Sequence, residues 1–154
     1  MVNRGQIRQG KILHAMLSCV GNMKETTLDE VLGRAKARAA QEFPLVRDLD
    51  RYVKQLETML ARQELHRFFY PDKGEVLLEQ EIVDAQGKIR RLDRLIVMPD
   101  ESWVVDFKSS RAGREQHGAQ VKEYCALIKG MYPKRGVKGF LIYLDDGGVE
   151  EIKK

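Results

Sequence analysis

The spacing of apolar residues along the chain changes near residue 72. Before this point apolar residues recur at helical intervals, and the pattern predicts helices over residues 5–20, 28–42 and 48–69. After it, short apolar runs bounded by Gly, Pro and Asp predict strands over residues 75–83, 88–98, 102–108 and 138–144, with a helix over 114–130. This order predicts an α/β domain whose mixed β-sheet is flanked by helices and preceded by an N-terminal helical portion.

The composition is typical of one soluble, globular domain. Hydrophobic residues make up 43% of the 154 positions, and no apolar run approaches the roughly 18 residues that a membrane span needs. The first residues, MVNRGQIRQGK, contain no hydrophobic signal core, so we expect a cytoplasmic protein without a membrane partner. The net charge of +4 permits binding to nucleic acid but does not require it.

The third predicted strand carries two charged residues on one face, in the stretch VVDFKSS (104–110). Strand alternation places Asp106 and Lys108 on the same side. Taken alone, this pair favours a salt bridge at a strand end near solvent. The preceding strand carries Asp93, which by itself would pair with a neighbouring arginine. Because a meander places the two strands side by side, both carboxylates can converge on one hard cation, and the three residues together favour a metal site.

Four separated segments carry further motifs. They are RQGKILHAML (8–17), GKIRRLDRL (87–95), VVDFKS (104–109) and AQVKEY (119–124). In this order, and with the spacing Asp93…Asp106-x-Lys108, they resemble the motifs of the RecB-like branch of the PD-(D/E)XK nucleases. The resemblance covers most of the chain and is least clear across residues 22–72. It implies a restriction-endonuclease-like core.

The resemblance also implies roles for individual residues. Asp93 and Asp106 match the two central metal-binding aspartates of the family, and Lys108 matches its catalytic lysine. His14 matches a metal-binding histidine on an N-terminal helix. The backbone carbonyl of Phe107 is a further metal ligand by the same resemblance.

Other residues of the site follow from the resemblance as well. Gln120 and Tyr124 match a QxxxY helix that lines the active site, and their spacing places them on one helix face. Glu79 matches an acidic residue that contacts a metal directly or through water, and Glu81 remains an alternative. Candidates for phosphate contacts are Arg94, Arg111, Arg114 and Lys122.

Two features indicate which type of RecB-like nuclease the chain resembles. Cys19 and Cys125 stand apart, with no Cys or Cys/His cluster, so neither structural zinc nor the iron–sulfur cluster of some RecB-like nucleases is expected. The chain therefore resembles the cluster-free AddA/RecB type, which forms the C-terminal nuclease domain of a UvrD/Rep-like helicase–nuclease. It has no GxxxxGK(S/T) phosphate loop, so a helicase module would belong to another part of the same chain or to a partner chain.

We therefore expect residues 1–154 to form one RecB-like nuclease domain, mainly helical over 1–72 and with the nuclease core over 73–154. The resemblance implies a Mg²⁺- or Mn²⁺-dependent exonuclease that hydrolyses phosphodiester bonds of DNA during repair or recombination. Two alternatives remain open. One is a stand-alone restriction-type or junction-specific endonuclease, and the other is an inactive DNA-binding module of the same fold.

Overall fold

The helices lie mainly in the first half of the chain. The computed structural model describes residues 4–153, and for residue 6 the backbone only. The helices are α1 (Arg4–Leu17), α2 (Leu28–Glu42), α3 (Leu49–Ala61), α4 (His66–Phe69) and α5 (Arg114–Met131), with short 3-10 turns at Met23–Glu25 and Gln63–Leu65. The start of α2 has a local cause, because the Thr27 hydroxyl accepts a hydrogen bond from the backbone N–H of Glu30. None of the helices within the described residues has the length and apolar character needed to cross a membrane.

One five-stranded sheet forms the centre of the protein. Its strands are β1 (Glu75–Val83), β2 (Ile89–Val97), β3 (Glu101–Lys108), β4 (Gly136–Tyr143) and β5 (Val149–Ile152), in the spatial order β1-β2-β3-β4-β5. Strands β3 and β4 are parallel and are connected through α5, whereas the other neighbours are antiparallel. This arrangement confirms the predicted mixed sheet flanked by helices.

Each face of the sheet packs against its own set of helices. Alternate residues of β3 divide between the two cores, so that Val105 and Phe107 pack with the N-terminal helices whereas Val104 packs with α5. The N-terminal helices contribute Leu13, Leu56 and other fully buried residues to the first core. As a result, α1 and α5 lie on opposite sides of the sheet, and both can reach the C-terminal end of β3.

Three details differ from the sequence-based prediction. The helix predicted over 48–69 is interrupted, because Arg62 adopts an extended conformation with ψ of 131° between α3 and the following 3-10 turn. The first helix ends at Leu17 rather than at residue 20. Strand β5 was not predicted at all. It has four residues, all partly buried, and the alternation of its sequence VEEI is too short to indicate a strand.

Candidate active site

Strands β2 and β3 separate at the two predicted aspartates. The last pair of their backbone ladder is Arg94 and Val105. Asp93 and Asp106 are the next residues on the two strands and lie just outside the ladder. Beyond this pair, Asp93 Oδ2 accepts a hydrogen bond of 2.9 Å from the backbone N–H of Phe107. A side chain thus takes the place of a backbone partner, and the Asp93 carboxyl group is held where the two strands diverge.

Asp93 and Asp106 form a close pair of carboxyl groups. Asp106 is only 4% exposed. Burial raises the pKa of Asp93, and a hydrogen bond with Asp106 and the negative charge of that residue raise this pKa further. Two carboxylates so close together repel each other, so the pair favours a bound proton or a bound cation.

Lys108 lies beside this pair and is held from the α5 side of the sheet. Its Nζ donates a hydrogen bond of 3.1 Å to Gln120 Oε1. The same Nζ lies 3.0 Å from Asp106 Oδ2, but at an angle unsuitable for a hydrogen bond, so this buried oxygen has no hydrogen-bond partner. Tyr124 follows Gln120 by one helical turn and is buried, which raises the pKa of its hydroxyl. The structure therefore brings Asp106, Lys108 and Gln120 together.

His14 reaches the same place from the opposite side of the sheet. Its Nε2 lies 2.7 Å from the Phe107 carbonyl oxygen, and its Nδ1 lies 3.8 Å from Asp93 Oδ2. Because a carbonyl oxygen can only accept, Nε2 carries the proton and donates. Burial lowers the pKa of His14, which favours the neutral ring, so Nδ1 presents a lone pair towards Asp93.

The position of His14 depends on a close approach between α1 and the end of β3. Gly10 lies one turn before His14 and faces Ser109. A Cβ atom at position 10 would lie 2.9 Å from Ser109 Cβ and closer still to its hydroxyl. The glycine of the RQGKILHAML segment is therefore required by packing, because any side chain there would push α1 away from β3.

An irregularity in β1 determines the position of Glu79. Glu79 lies between the ladder pairs Leu78–Arg94 and Gln80–Leu92 and is not itself paired. Its φ of 48° is a left-handed value that costs a residue with a side chain about 1–3 kcal/mol. Leu77 and Ile82 both pack on the α5 side although they are an odd number of residues apart. The alternation of side chains thus shifts by one between them, so the regular strand assumed from the sequence is incorrect at this point.

The shift separates the two candidate glutamates. Glu79 lines a cavity of about 480 Å³ together with His14 and Asp93, whereas Glu81 is exposed and does not line it. Within this cavity Glu79 Oε2 accepts a hydrogen bond of 2.6 Å from Arg91, and its Oε1 lies 3.6 Å from Arg38 Nη2. The carboxylate of Glu79 is therefore neutralised by arginines.

Arg94 is not in a position to contact a phosphate. Its side chain is completely buried and donates hydrogen bonds to the backbone carbonyls of Phe68, Val20 and Gly21. It also lies over the ring of Phe69. Burial lowers the pKa of this guanidinium to about 9. The sequence-based suggestion of a phosphate contact is wrong for Arg94, which instead joins the N-terminal helices to β2.

The other three basic candidates lie at the surface. Arg111 pairs with Asp146, with 2.5 Å between Nη1 and Oδ2, and Arg114 pairs with Glu150. Lys122 is exposed on α5. Their exposure leaves a contact with a phosphate open.

Sequence reasoning missed two residues near the site. His117 precedes Gln120 by three positions on α5, and its Nδ1 is buried without a hydrogen-bond partner. Burial and the charge of Lys108 lower the pKa of His117, whereas the charge of Asp106 raises it. The spacing of His117, Gln120 and Tyr124 on one helix face was a signal for this residue. Arg38 comes from α2, and no local pattern indicated that it would reach Glu79.

The donor atoms at this site fit a divalent cation in their chemistry. No three His, Cys, Asp or Glu side chains among residues 4–153 are already arranged as a complete metal site. The two carboxylates nevertheless lie together, one oxygen of Asp106 is buried without a hydrogen-bond partner, and His14 supplies a ring nitrogen. Carboxylate oxygens and carbonyl oxygens are the ligands that Mg²⁺ and Mn²⁺ prefer.

The fold and the site together define a class of protein. A mixed sheet flanked by helices, with a lysine and two aspartates at the end of its central strands, is consistent with a restriction-endonuclease-like α/β domain. The family model of the PD-(D/E)XK nuclease superfamily matches residues 3–153, and the chain belongs to this superfamily. Membership implies metal-dependent nuclease activity with DNA as the substrate, and members generally use Mg²⁺ or Mn²⁺. A search of curated proteins gives no match.

Proposed function

We propose that the protein is a Mg²⁺- or Mn²⁺-dependent deoxyribonuclease of the exonuclease type and of the RecB-like branch. The observation that carries this proposal is the close pair of the partly buried Asp93 and the buried Asp106, with Lys108 beside it. We further propose that residues 1–154 form one nuclease domain, with its helical part over 1–72 and its core over 73–154. The single sheet, with helices packed on both faces, supports this division.

The roles proposed for the residues come from the resemblance, and their contacts support them. Asp93, Asp106, His14 and the carbonyl oxygen of Phe107 would hold the metal, and Glu79 would act on it through water. The bound ion would supply an acidified water molecule and neutralise charge on the phosphate.

Lys108 places a positive charge next to the reacting phosphate, where it stabilises the negative charge that develops in the transition state. Gln120 holds the Lys108 ammonium group through its 3.1 Å hydrogen bond. Tyr124 is buried one helical turn further along the same face, where, by the resemblance, it would line the active site beside Gln120.

The exonuclease type and a role beside a helicase rest on the resemblance of AQVKEY and RQGKILHAML to RecB-like motifs. The nuclease would then act on DNA ends that a helicase module, in the same chain or in a partner, delivers during repair or recombination.

Cleavage assays with purified variants test the proposal. Wild-type protein with Mg²⁺ or Mn²⁺ is expected to degrade linear DNA, and both Asp106→Asn and Lys108→Ala should lower the rate about 100-fold or more. Glu81→Gln is the matched control, because Glu81 is exposed and outside the cavity. Circular dichroism would verify that each variant is folded. A folded Asp106→Asn protein with the wild-type rate would refute the assignment.

The form of the DNA distinguishes the alternatives. An exonuclease leaves covalently closed circles intact, whereas rapid cleavage of closed circles would identify a stand-alone endonuclease. Binding of DNA without any metal-dependent cleavage would identify an inactive DNA-binding module.

A further inference from the structure

A second cavity lies next to the candidate active site, between α3 and the turn that joins β4 to β5. Its volume is about 360 Å³, which is within the range of small-ligand sites and suits one nucleotide unit. We call it the α3 groove. Its polar lining includes Arg51, Lys54, Gln55, Thr58 and Arg62 on the α3 side, Gln9 on α1, and Asp145 and Asp146 in the turn.

The α3 groove adjoins the candidate active site at two places. Gln9 lines the groove, and the next residue, Gly10, lines the cavity that contains His14. Leu144 also lines the groove, and its backbone N–H donates a hydrogen bond of 2.8 Å to the carbonyl oxygen of Lys108. If a DNA strand is bound with its cleaved bond at Lys108, a neighbouring nucleotide of that strand therefore lies within reach of the groove.

Two buried polar atoms in the groove wall have no hydrogen-bond partner. They are the acceptor Gln55 Oε1 and the donor Arg62 Nε, which lies 3.7 Å from Glu64 Oε2, too far for a hydrogen bond. Both side chains line the groove, Gln55 from within α3 and Arg62 from the extended residue that follows the end of this helix. A buried polar atom without a partner is costly, so such a pair indicates a place where a ligand supplies the missing donor and acceptor. The edge of a base offers both kinds of atom.

The charges at the groove favour a phosphate. Arg51 and Lys54 are exposed on its α3 side. Of the two carboxylates opposite, Asp146 is already paired with Arg111, whose Nη1 lies 2.5 Å from Asp146 Oδ2. Arg62 reaches across and donates to the backbone carbonyl of Asp146.

Arg51 lies 3.6 Å from Asp48 Oδ2 through its Nη1, but its side chain stays 62% exposed, and Lys54 has no ion pair among the described residues. Asp145 is the remaining exposed carboxylate opposite, so a phosphate at the mouth of the groove is accessible to both cations on the α3 side.

We propose that the α3 groove binds one nucleotide of the substrate DNA strand next to the cleaved bond. Arg51 and Lys54 contact its phosphate, and Gln55 and Arg62 contact the edge of its base. This inference rests on the proposed function, because it needs a DNA strand at Lys108. It assigns a binding role to α3, which lies where the resemblance to RecB-like nucleases is least clear.

The first test measures binding of a fluorescein-labelled single-stranded oligodeoxynucleotide by anisotropy over a range of salt concentrations. EDTA is present so that no metal-dependent cleavage occurs. The double variant Arg51→Ala/Lys54→Ala should bind about 10-fold more weakly, and the slope of log affinity against log salt should fall by about 1.4, because each lost phosphate contact contributes about 0.7.

The matched control is Lys73→Ala/Lys134→Ala. It removes the same charge at exposed positions near the opposite end of the sheet, where β3 and β4 begin. The control should keep wild-type affinity. An equal loss in both double variants, or no loss in either, would overturn the assignment of the groove.

A second variant, Gln55→Met, separates binding from stability. Replacing an unpaired buried acceptor by an apolar side chain of similar size should leave the melting temperature unchanged or raised. DNA affinity should nevertheless fall about five-fold, because the base edge loses a partner. A lower melting temperature with unchanged DNA affinity would show that Gln55 is only structural and would contradict the proposal.

The two proposals can fail independently. Wild-type protein that cleaves DNA while the groove variants bind normally would refute the groove alone. Wild-type protein that does not cleave DNA would refute the proposed function, whatever the groove variants do.

Discussion

In the absence of a cation, two interactions of the Asp93 carboxyl group have opposite effects on its ionisation. This group accepts a hydrogen bond from the Phe107 backbone, yet it is partly buried beside the carboxyl group of Asp106. Arg94, the next residue in sequence, is completely buried and bonded to three backbone carbonyls, so its charge belongs to the framework of the fold. Adjacent charged residues of one motif thus have different tasks.

The raised pKa of Asp93 predicts a pH-dependent effect of Asp93→Asn on the metal-free protein. The folded state holds the Asp93 proton more tightly than the unfolded state does. The wild type therefore loses stability as the pH rises above the ordinary carboxyl pKa of about 4 towards the raised value. The amide introduced by Asp93→Asn cannot ionise and still offers an oxygen to the Phe107 N–H. At alkaline pH the variant should be more stable by about 1 kcal/mol or more.

Urea unfolding in EDTA at several pH values measures this difference. The gain in the free energy of unfolding should vanish at pH values below about 4, where the carboxyl group is protonated in both states. Asp100→Asn, at an exposed position in the β2–β3 turn, serves as the control and should show no such trend. A variant that is no more stable than the wild type at alkaline pH would contradict the prediction.

At the scale of elements, the site depends on how α1 crosses the end of β3. Gly10 allows the helix to lie directly against Ser109, and this contact lets His14 reach Phe107 and Asp93 one turn later. On the other face, α5 presents Gln120 to Lys108. Two helices from opposite sides of the sheet thus meet at one strand end.

Gly10→Ala should displace α1 and weaken cleavage through His14. The added methyl group would overlap the Ser109 side chain, so we expect a loss of about 1–3 kcal/mol in stability and a lower affinity for Mn²⁺ in calorimetric titrations. Ser109→Gly removes the overlapping atoms, because the nearest remaining atom is the residue 109 Cα at 3.5 Å.

The double variant Gly10→Ala/Ser109→Gly should therefore recover both stability and Mn²⁺ affinity. Ser109→Gly alone serves as the reference for this comparison. If the double variant were as impaired as Gly10→Ala, the close contact would not be the cause.

At the scale of the whole molecule, the metal should link stability to activity. The site joins residues from α1, β2, β3 and α5, so a cation bound there would connect the first helix with the sheet and with the helix on its other face. Anything that binds the folded state alone stabilises it by mass action.

Mn²⁺ should therefore raise the melting temperature of the wild type. At a concentration of about 100 times Kd, the stabilisation amounts to about 2.7 kcal/mol. EDTA should reverse the shift, and Asp106→Asn should largely abolish it. Differential scanning calorimetry measures the effect, and an equal shift in the wild type and Asp106→Asn would place the bound ion elsewhere.

Local pattern was sufficient for most of the secondary structure, because apolar spacing reports which residues of an element face the core. It was insufficient where tertiary contacts override that pattern. The predicted long helix divides at Arg62, and Arg62 uses this bend to reach the carbonyl oxygen of Asp146 in a distant turn. Strand β5 forms because β4 offers it a free edge, which no local pattern can indicate.

The sequence by itself determined the mixed sheet and pointed to Asp93, Asp106 and Lys108 as a group, since strand alternation and the order of the strands depend on neighbouring residues. Only the tertiary structure decided which charges are free to act. The tertiary structure buries Arg94 in the fold and pairs Glu79 with Arg91. The positive φ of Glu79 also directs its side chain away from that of Glu81. The tertiary structure also brings Arg51, Lys54 and Gln55 near the candidate site. These outcomes depend on contacts between residues far apart in the chain, and local periodicity carries no information about such contacts.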